Sequence, residues 1–395
     1  MLPMKRRHIF LAFAVMGSLG LVYFSTSPGT YRTIVAAVAS LGTDARPSVR
    51  IGAAIGLTGM CAQWGEDERK AEQLAADEAN KRGGIDGRRI VLIIEDTQCT
   101  PKGTVNAIKK LLDVDRVALI LGPTWGDSFQ GGTVITEDAH VVSISPSTAM
   151  EALFYNKQPI GYTFSTWFPE KSEIDVLQRY AAKLNIRTFI VLHDQDPFAS
   201  MMADLFTTQA ASHSLHITNK YALPVAADDY RSVILKLKKE KPEAIFISFE
   251  GSAAKARFLK QARELGLSMR VFSSSDIEDG SLIEQFGSVM DGIIYTRPEV
   301  TGDTKAFKEA FRGRYGTNPT GQSAANAYDA TRTALKALEQ SRQQNIDLKS
   351  AVEQINLPGT AVPEIKFNSL HQLEGTKFQI KTIRDGEFVA VDERL

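Results

Sequence analysis

Short β-branched runs and amphipathic stretches alternate along most of this chain. The first run, 49–55, breaks at Gly56-Leu57-Thr58-Gly59, and Ala62-Gln63-Trp64-Gly65 lies just beyond it. A helical pattern follows to Lys81-Arg82, the turn Gly83-Gly84-Ile85-Asp86-Gly87 ends it, and a second apolar run covers 90–94. The pattern predicts strand, glycine turn, helix, tight turn and parallel strand. In open α/β sheets, ligands bind at the carboxyl ends of such strands. A helix at 101–113, with Pro near its start, comes next. A strand at 117–121 ends at Gly122-Pro123-Thr124, and after a helical stretch a fourth strand covers 141–146.

Residues 162–169 are extended and read as a crossing into a second lobe. The alternation then restarts, with helices near 170–183, 198–212, 229–239 and 253–265. Strands at 188–192, 217–222, 244–249, 271–273 and 292–295 separate them, and Thr296-Arg297-Pro298 reads as the return crossing. Helices near 304–315 and 323–340 would pack back on the first lobe, and 377–383 before Asp385-Gly386 is a strand and hairpin turn. The expected fold class is α/β, with two doubly wound parallel-sheet lobes joined by a hinge. Lobe 1 is expected to hold 49–166 and 298–371, lobe 2 167–297 and 372–395. Hinge closure of two such lobes around a ligand is an established kind of motion.

The first forty residues differ from the rest. Lys5-Arg6-Arg7 precede an apolar run over 9–24, and Ala37-Val38-Ala39 before Ser40 fits a small-residue cleavage pattern. Residues 1–39 are read as a signal peptide or an N-terminal anchor, and either exports the body to the periplasm. The two cysteines, Cys61 and Cys99, each fall just past a predicted strand, and those strands are neighbours in a doubly wound sheet. Export makes a disulfide between them the expectation, with two unpaired thiols as the alternative.

Composition narrows the partners. Lys+Arg and Asp+Glu are equal at 46 each, so no global field favours nucleic acid, and no basic strip with interleaved aromatics occurs. The six histidines (8, 140, 193, 213, 216, 371) show no metal-ligand spacing, so no metal and no cofactor are expected. No nucleophile elbow or phosphate loop occurs. His193-Asp194 is the one general-base dyad on offer, but adjacent residues on an extended segment point to opposite faces. The chain is read as a monomeric binding protein, not an enzyme.

The candidate contacts lie in the loops after the strands. On the first lobe these are Thr58-Gly59 and Trp64, then Thr124-Trp125-Gly126-Asp127-Ser128, then Ser147-Thr148-Ala149. Hydroxyls and unpaired N–H groups there suit a carboxylate, or merely cap the helices that follow. Trp64 reads as cleft wall. On the second lobe they are Phe198 after the first strand, Glu250-Gly251-Ser252 after the third, and Ser274-Ser275-Asp276 after the fourth. Glu250 and Asp276 would offset a cationic group, or serve only as helix-end charges.

In order and spacing, Ala62-Gln63-Trp64-Gly65, Gly83-Gly84-Ile85-Asp86-Gly87, Gly122-Pro123, Ile144-Ser145-Pro146 and His193-Asp194 resemble one family. It is the type I periplasmic solute-binding proteins, the branched-chain amino acid (Leu/Ile/Val) receptors of ABC importers. The resemblance runs from Val49 to the C-terminus and implies a small polar solute held between two lobes and passed to ABC transporter membrane subunits. It implies that Trp64 faces the ligand, that the 147–149 turn meets its carboxylate, that an aromatic near Phe198 closes over it, and that the loops at Glu250 and at Ser275-Asp276 supply an acid for an α-amino group. Three residues depart from the pattern. Gly126 lacks the usual hydroxyl, which Thr124 or Ser128 would replace, Phe198 lacks the phenol, and Asp276 sits one position beyond the expected acid. A membrane-anchored sensor of the same fold is the alternative function.

Overall fold

Val49–Ile55 forms β1, buried at every position but Arg50, which places it inside a sheet. In the computed structural model, residues 47–391 are described apart from 156–159, 226, 250, 279–282, 284, 300–303 and 322. After β1 come α1 (Ala62–Lys81), β2 (Ile90–Asp96), α2 (Pro101–Lys109), β3 (Ile120–Leu121), α3 (Gly126–Asp138), β4 (Ser143–Ser145), α4 (Met150–Tyr155) and β5 (Thr163–Ser165). They build a parallel sheet in the order β2-β1-β3-β4-β5. β2 is added on one side of β1 and β3 on the other, so the order reverses between β1 and β3. That reversal is the topological switch point, where loops diverge and leave room above the strand tips.

The chain then crosses through Thr166–Pro169 into α5 (Glu170–Lys183), β6 (Thr188–Asp194), α6 (Pro197–Gln209), β7 (His216–Leu223), α7 (Arg231–Glu240), β8 (Ala244–Ser248), α8 (Ser252–Glu264), β9 (Arg270–Ser273) and β10 (Ile294–Pro298). Next are α9 (Thr304–Tyr315), α10 (Ser323–Gln344), α11 (Leu348–Glu353) and the short pair β11 (Leu357–Pro358) and β12 (Glu364–Ile365). β13 (Phe378–Arg384) and β14 (Glu387–Ala390) end the described chain. The second sheet has the order β14-β13-β10-β9-β8-β6-β7 and switches between β6 and β8. β8 is buried throughout, as a strand covered on both faces must be.

The cores follow from these layers. Ile51, Ile55, Leu121, Ile144 and Phe164 of the first sheet meet Ala330, Ala334 and Ala337 of α10, so the C-terminal third of the chain returns to this sheet. The second sheet buries Ile190, Leu192, Ile245, Phe258 and Tyr295 on one face. Phe189, Phe206, Phe246 and Phe272 fill the other, together with Ala149 and Ala152 from the α4 region. Gly65 lets α1 press on the end of β1, since a Cβ there would strike the carbonyl of Gly56.

Several element boundaries differ from the sequence reading. Thr296, Arg297 and Pro298, expected as the return crossing, are the last residues of β10 and pair antiparallel with Ile380, Gln379 and Phe378. Local pattern cannot reveal a partner strand some eighty positions away, and Pro298 is tolerated as the last strand residue, where it forgoes only its own N–H while Glu299 N–H still donates to the Lys377 carbonyl at 2.8 Å. β3 is two residues rather than five, although Ala118 and Leu119 still bond to Arg50 and Gly52 of β1. The helix expected over 101–113 loosens into a wider turn at Lys110–Val114. The expected signal or anchor, including the run 9–24, lies outside the described residues. Among those described, no helix is long and apolar enough to cross a membrane.

Candidate functional site

Both strand tips at the first switch point carry an indole. α1 begins just after Cys61, which is disulfide-bonded to Cys99 beyond β2, with Cα atoms 5.9 Å apart. The bridge ties the two loops on that side together and fixes where Trp64 enters the helix. Trp125, after β3, meets Trp64 edge to face with ring centroids 5.5 Å apart. Trp167, on the crossing, lies 5.8 Å from Trp64 at a tilt of 46°. These are all three tryptophans of the chain, and each is only half-buried. Trp125 has φ +63° and ψ +147°, backbone that glycine adopts freely and other residues keep only when their surroundings impose it.

Beneath the indoles the hydroxyls form a connected set. Thr124 Oγ accepts the N–H of Gly56 at 3.1 Å and donates to Glu68 Oε2 at 2.5 Å. Ser147 Oγ accepts the N–H of Trp125 at 3.2 Å. Thr148 Oγ bonds Ser145 Oγ at 2.7 Å, and the Thr148 carbonyl accepts from Ser165 Oγ at 2.8 Å. Ser165 Oγ in turn accepts the N–H of Trp167 at 3.0 Å. The turns holding Thr124, Ser147 and Thr148 therefore fix two of the three indoles through their backbones. Thr58, by contrast, is bound to Asp96 through its N–H and its hydroxyl, and caps the end of β2. Gly126 opens α3.

On the second sheet, Asp196 caps α6 by accepting the N–H of Ala199, and Pro197 takes the first helical position. That fixes Phe198, which is partly buried and packs in one apolar cluster with Ala149 and Ala152. Ser275 N–H donates to Glu173 Oε1 at 2.6 Å, and Thr296 Oγ donates to the same oxygen at 2.7 Å. Asp276 is paired with the fully buried Lys255 and accepts from Ser274 Oγ at 2.5 Å. Its carboxylate is thus already held by a cation of this chain. Glu250 lies outside the described residues.

Buried carboxyls surround these loops. Glu68, one turn after Trp64 on α1, is pushed up to about 7 by burial, against the pull of the Thr124, Ser147 and Ser323 hydroxyls. Glu72, a turn further, is raised well above the ordinary range by burial and by the charge of Glu68. Its oxygens have no hydrogen-bond partner among the described residues. At the start of α5, burial pushes Glu173 up to about 7, and burial with the neighbouring Glu151 raises Glu170 well above its usual value. Glu68, Glu72 and Glu170 are thus held toward their neutral forms rather than poised as fixed charges.

His193 bonds the carbonyl of Asp194 at 2.7 Å through Nδ1, not its carboxylate, so the two do not form an oriented acid–base pair. Among the described residues no group of His, Cys, Asp and Glu is placed to hold a metal ion. A groove of about 520 Å³ lined by Thr304, Lys308 and Arg312 runs along α9 and includes none of the strand-tip residues.

A family model described as periplasmic binding protein matches residues 48–381. The chain belongs to the periplasmic binding protein family. The Leu-, Ile-, Val-, Thr- and Ala-binding protein of Pseudomonas aeruginosa is 26% identical over 342 residues, covering 85% of this chain and 90% of that protein. The leucine-specific-binding protein of Salmonella typhimurium is 22% identical over 358 residues, 88% of this chain and 95% of that protein. Among solved structures, the branched-chain amino acid transporter substrate binding protein LivJ of Streptococcus pneumoniae, in complex with isoleucine, superposes with a TM-score of 0.73 at 22% identity, covering 87% of this chain and 99% of that one. An ABC transporter solute binding protein of R. palustris, in complex with benzoate, gives a TM-score of 0.73 at 15% identity, over 87% and 95%. The fold of this periplasmic binding protein is thus the two-sheet type I architecture, and its family is one of binding proteins rather than enzymes.

The sequence reading named Trp64, the loop that carries Trp125 and the hydroxyl turns as candidate contacts of this binding protein, but it did not name Trp167, Glu68 or Glu173. A signal existed for Glu68, which stands four residues after Trp64 and so on the same helix face. Nothing local marked Trp167, whose neighbours are set by the crossing.

Proposed function

We propose that this protein is the extracytoplasmic substrate-binding subunit of an ABC importer, and that it takes up a small polar solute, an amino acid or a related carboxylate or amide. The single observation that carries the reading is the convergence of half-buried aromatic rings and hydroxyl-bearing turns at the first switch point. The relatives named for Leu, Ile and Val and the benzoate-bound neighbour support that solute class. In this reading Trp64, Thr124, Gly126, Ser147, Thr148 and Ala149 meet the solute from one lobe. Phe198, Glu250, Ser275 and Asp276 meet it from the other. The lobes are 49–166 with 298–371, and 167–297 with 372–395, and the closed monomer is presented to the transporter in the periplasm.

Solute touching both lobes stabilises the closed form by its differential affinity. A thermal-shift screen of amino acids, amides and small aromatic and aliphatic acids tests this. A true solute at about a hundred times its Kd stabilises the folded state by roughly 2.7 kcal/mol, a clear rise in Tm. A flat response across the whole screen would sink the proposal.

A further inference from the structure

We propose that Trp64, Trp125 and Trp167 form a wall that selects a solute bearing a planar aromatic ring and a carboxylate over one with a branched aliphatic side chain. The inference rests on the solute-binding reading above and deepens it.

Three separate segments, the start of α1, the loop after β3 and the crossing after β5, each bring one indole to the same place. The rings meet edge to face or tilted, at 78° and 46°, so they do not cover one another's faces as a parallel stack would. All three stay half-buried, whereas core rings such as Phe164, Phe189 and Phe246 are fully covered. Trp167 is backed by Phe168, stacked at 4.3 Å, so the wall is braced from behind. Trp125 holds its place at the expense of a glycine-like backbone. An aromatic solute gains offset-stacked and edge contacts with such rings beyond simple area burial, which an aliphatic chain does not.

The charge around the wall favours an anion over a cation. Glu68 gives one oxygen to Thr124 and is held toward its neutral form by burial, and Asp96 accepts the N–H groups of Leu57, Thr58 and Gln98, so these two carboxyls offer an ammonium group little counter-charge. Ser147, on the loop after β4, accepts the N–H of Trp125 through its hydroxyl, so a hydroxyl that suits a carboxylate lies against the wall.

Calorimetric titration of the full-length protein with matched pairs tests the idea: phenylalanine against leucine, and benzoate against cyclohexanecarboxylate. The aromatic member should bind about tenfold more tightly. Trp125→Gly, which relieves the strained backbone, and Trp167→Leu should each erase most of that ratio, while Trp167→Phe keeps it. Melting temperatures of all variants check that they fold. Equal or tighter binding of the saturated members, or of tetramethylammonium, overturns the ring preference and leaves solute binding standing. An unchanged ratio in Trp125→Gly and Trp167→Leu overturns it too. Silence across all pairs overturns the ring preference, and only a flat thermal-shift screen beside it overturns solute binding as well.

Discussion

The indole of Trp64 at the head of α1 lies 5.8 Å from that of Trp167 on the crossing between the two sheets. Trp167 stacks on Phe168, and Phe168 meets Phe378 of β13 edge to face at 5.5 Å. Unbroken ring contacts therefore run from Trp125 above the first sheet to a strand of the second. In the proposed site, a solute that displaced Trp64 would be one ring away from the segment that joins the two sheets. A ligand shifts a conformational equilibrium only through contacts that differ between the two states, and these rings are where the contacts of the proposed site would differ.

Because the chain has no other tryptophan, indole emission reports on the strand tips alone. Solute titration under selective indole excitation should shift or quench that emission along a single saturable curve. Trp64→Ala should weaken binding by about 1–3 kcal/mol with the fold retained, as expected of an aromatic anchor. Unchanged affinity in this variant would remove Trp64 from the site.

The Cys61–Cys99 bridge closes a loop of 38 residues. Chain-entropy arguments give such a closure about 4 kcal/mol at most. Thiol titration of the unfolded, unreduced protein should find no free thiol, and the Cys61→Ser/Cys99→Ser double variant should lower the urea midpoint. It should also loosen the entry of α1, which would appear as a broader Trp64 environment.

Much of this was legible in the sequence, and the reason is physical. β1, β2 and β6 are continuous apolar runs with glycine-rich or polar ends, and the helices between them carry one apolar face, so the α/β order follows from local pattern alone. What could not be read was pairing at a distance. Thr296 and Arg297 look like a crossing until β13 supplies an antiparallel partner. Asp276 looks like a free acid at a strand tip because Lys255, twenty-one residues earlier, shows no sign of folding back to it. Trp167 sits in an extended stretch whose neighbours depend on how the lobes are joined.

Lys255 is fully buried, and Asp276 is the carboxylate that holds it. Asp276→Asn leaves that ammonium group without its counter-charge, a change that typically destabilises by about 3–5 kcal/mol. The variant should therefore lose stability before any effect on solute affinity is read. Adding Lys255→Met should recover most of the loss, because replacing both partners removes the unpaired charge. If Asp276→Asn melts like the parent, the buried Lys255 does not depend on that counter-charge.

Protonation should set the stability profile of the whole molecule. Glu68 and Glu173 titrate in the folded protein at about 7, and Glu72 and Glu170 are raised well above their ordinary value, all chiefly because burial disfavours their charged forms. In the unfolded chain each ionises near its ordinary value of 4.5. A carboxyl raised on folding contributes stability that is complete below its unfolded value and is lost as pH rises through its folded value. Between those limits each such group removes roughly 1.4 kcal/mol per pH unit. From about pH 5.5 to 7, Glu68 and Glu173 alone lose about 2 kcal/mol each. His193, held below its ordinary value by burial, works in the opposite direction as pH falls, but it is one group against these four and Asp329, whose carboxyl burial also raises. Carboxylates with lowered values, such as Asp96 and Glu66, weaken the fold only toward stronger acid. Urea midpoints should therefore be higher near pH 5.5 than near pH 8, and Glu68→Gln should flatten that slope while tightening the fold at the alkaline end. A profile that rises steadily toward pH 8 would mean that these carboxyls are solvated rather than buried.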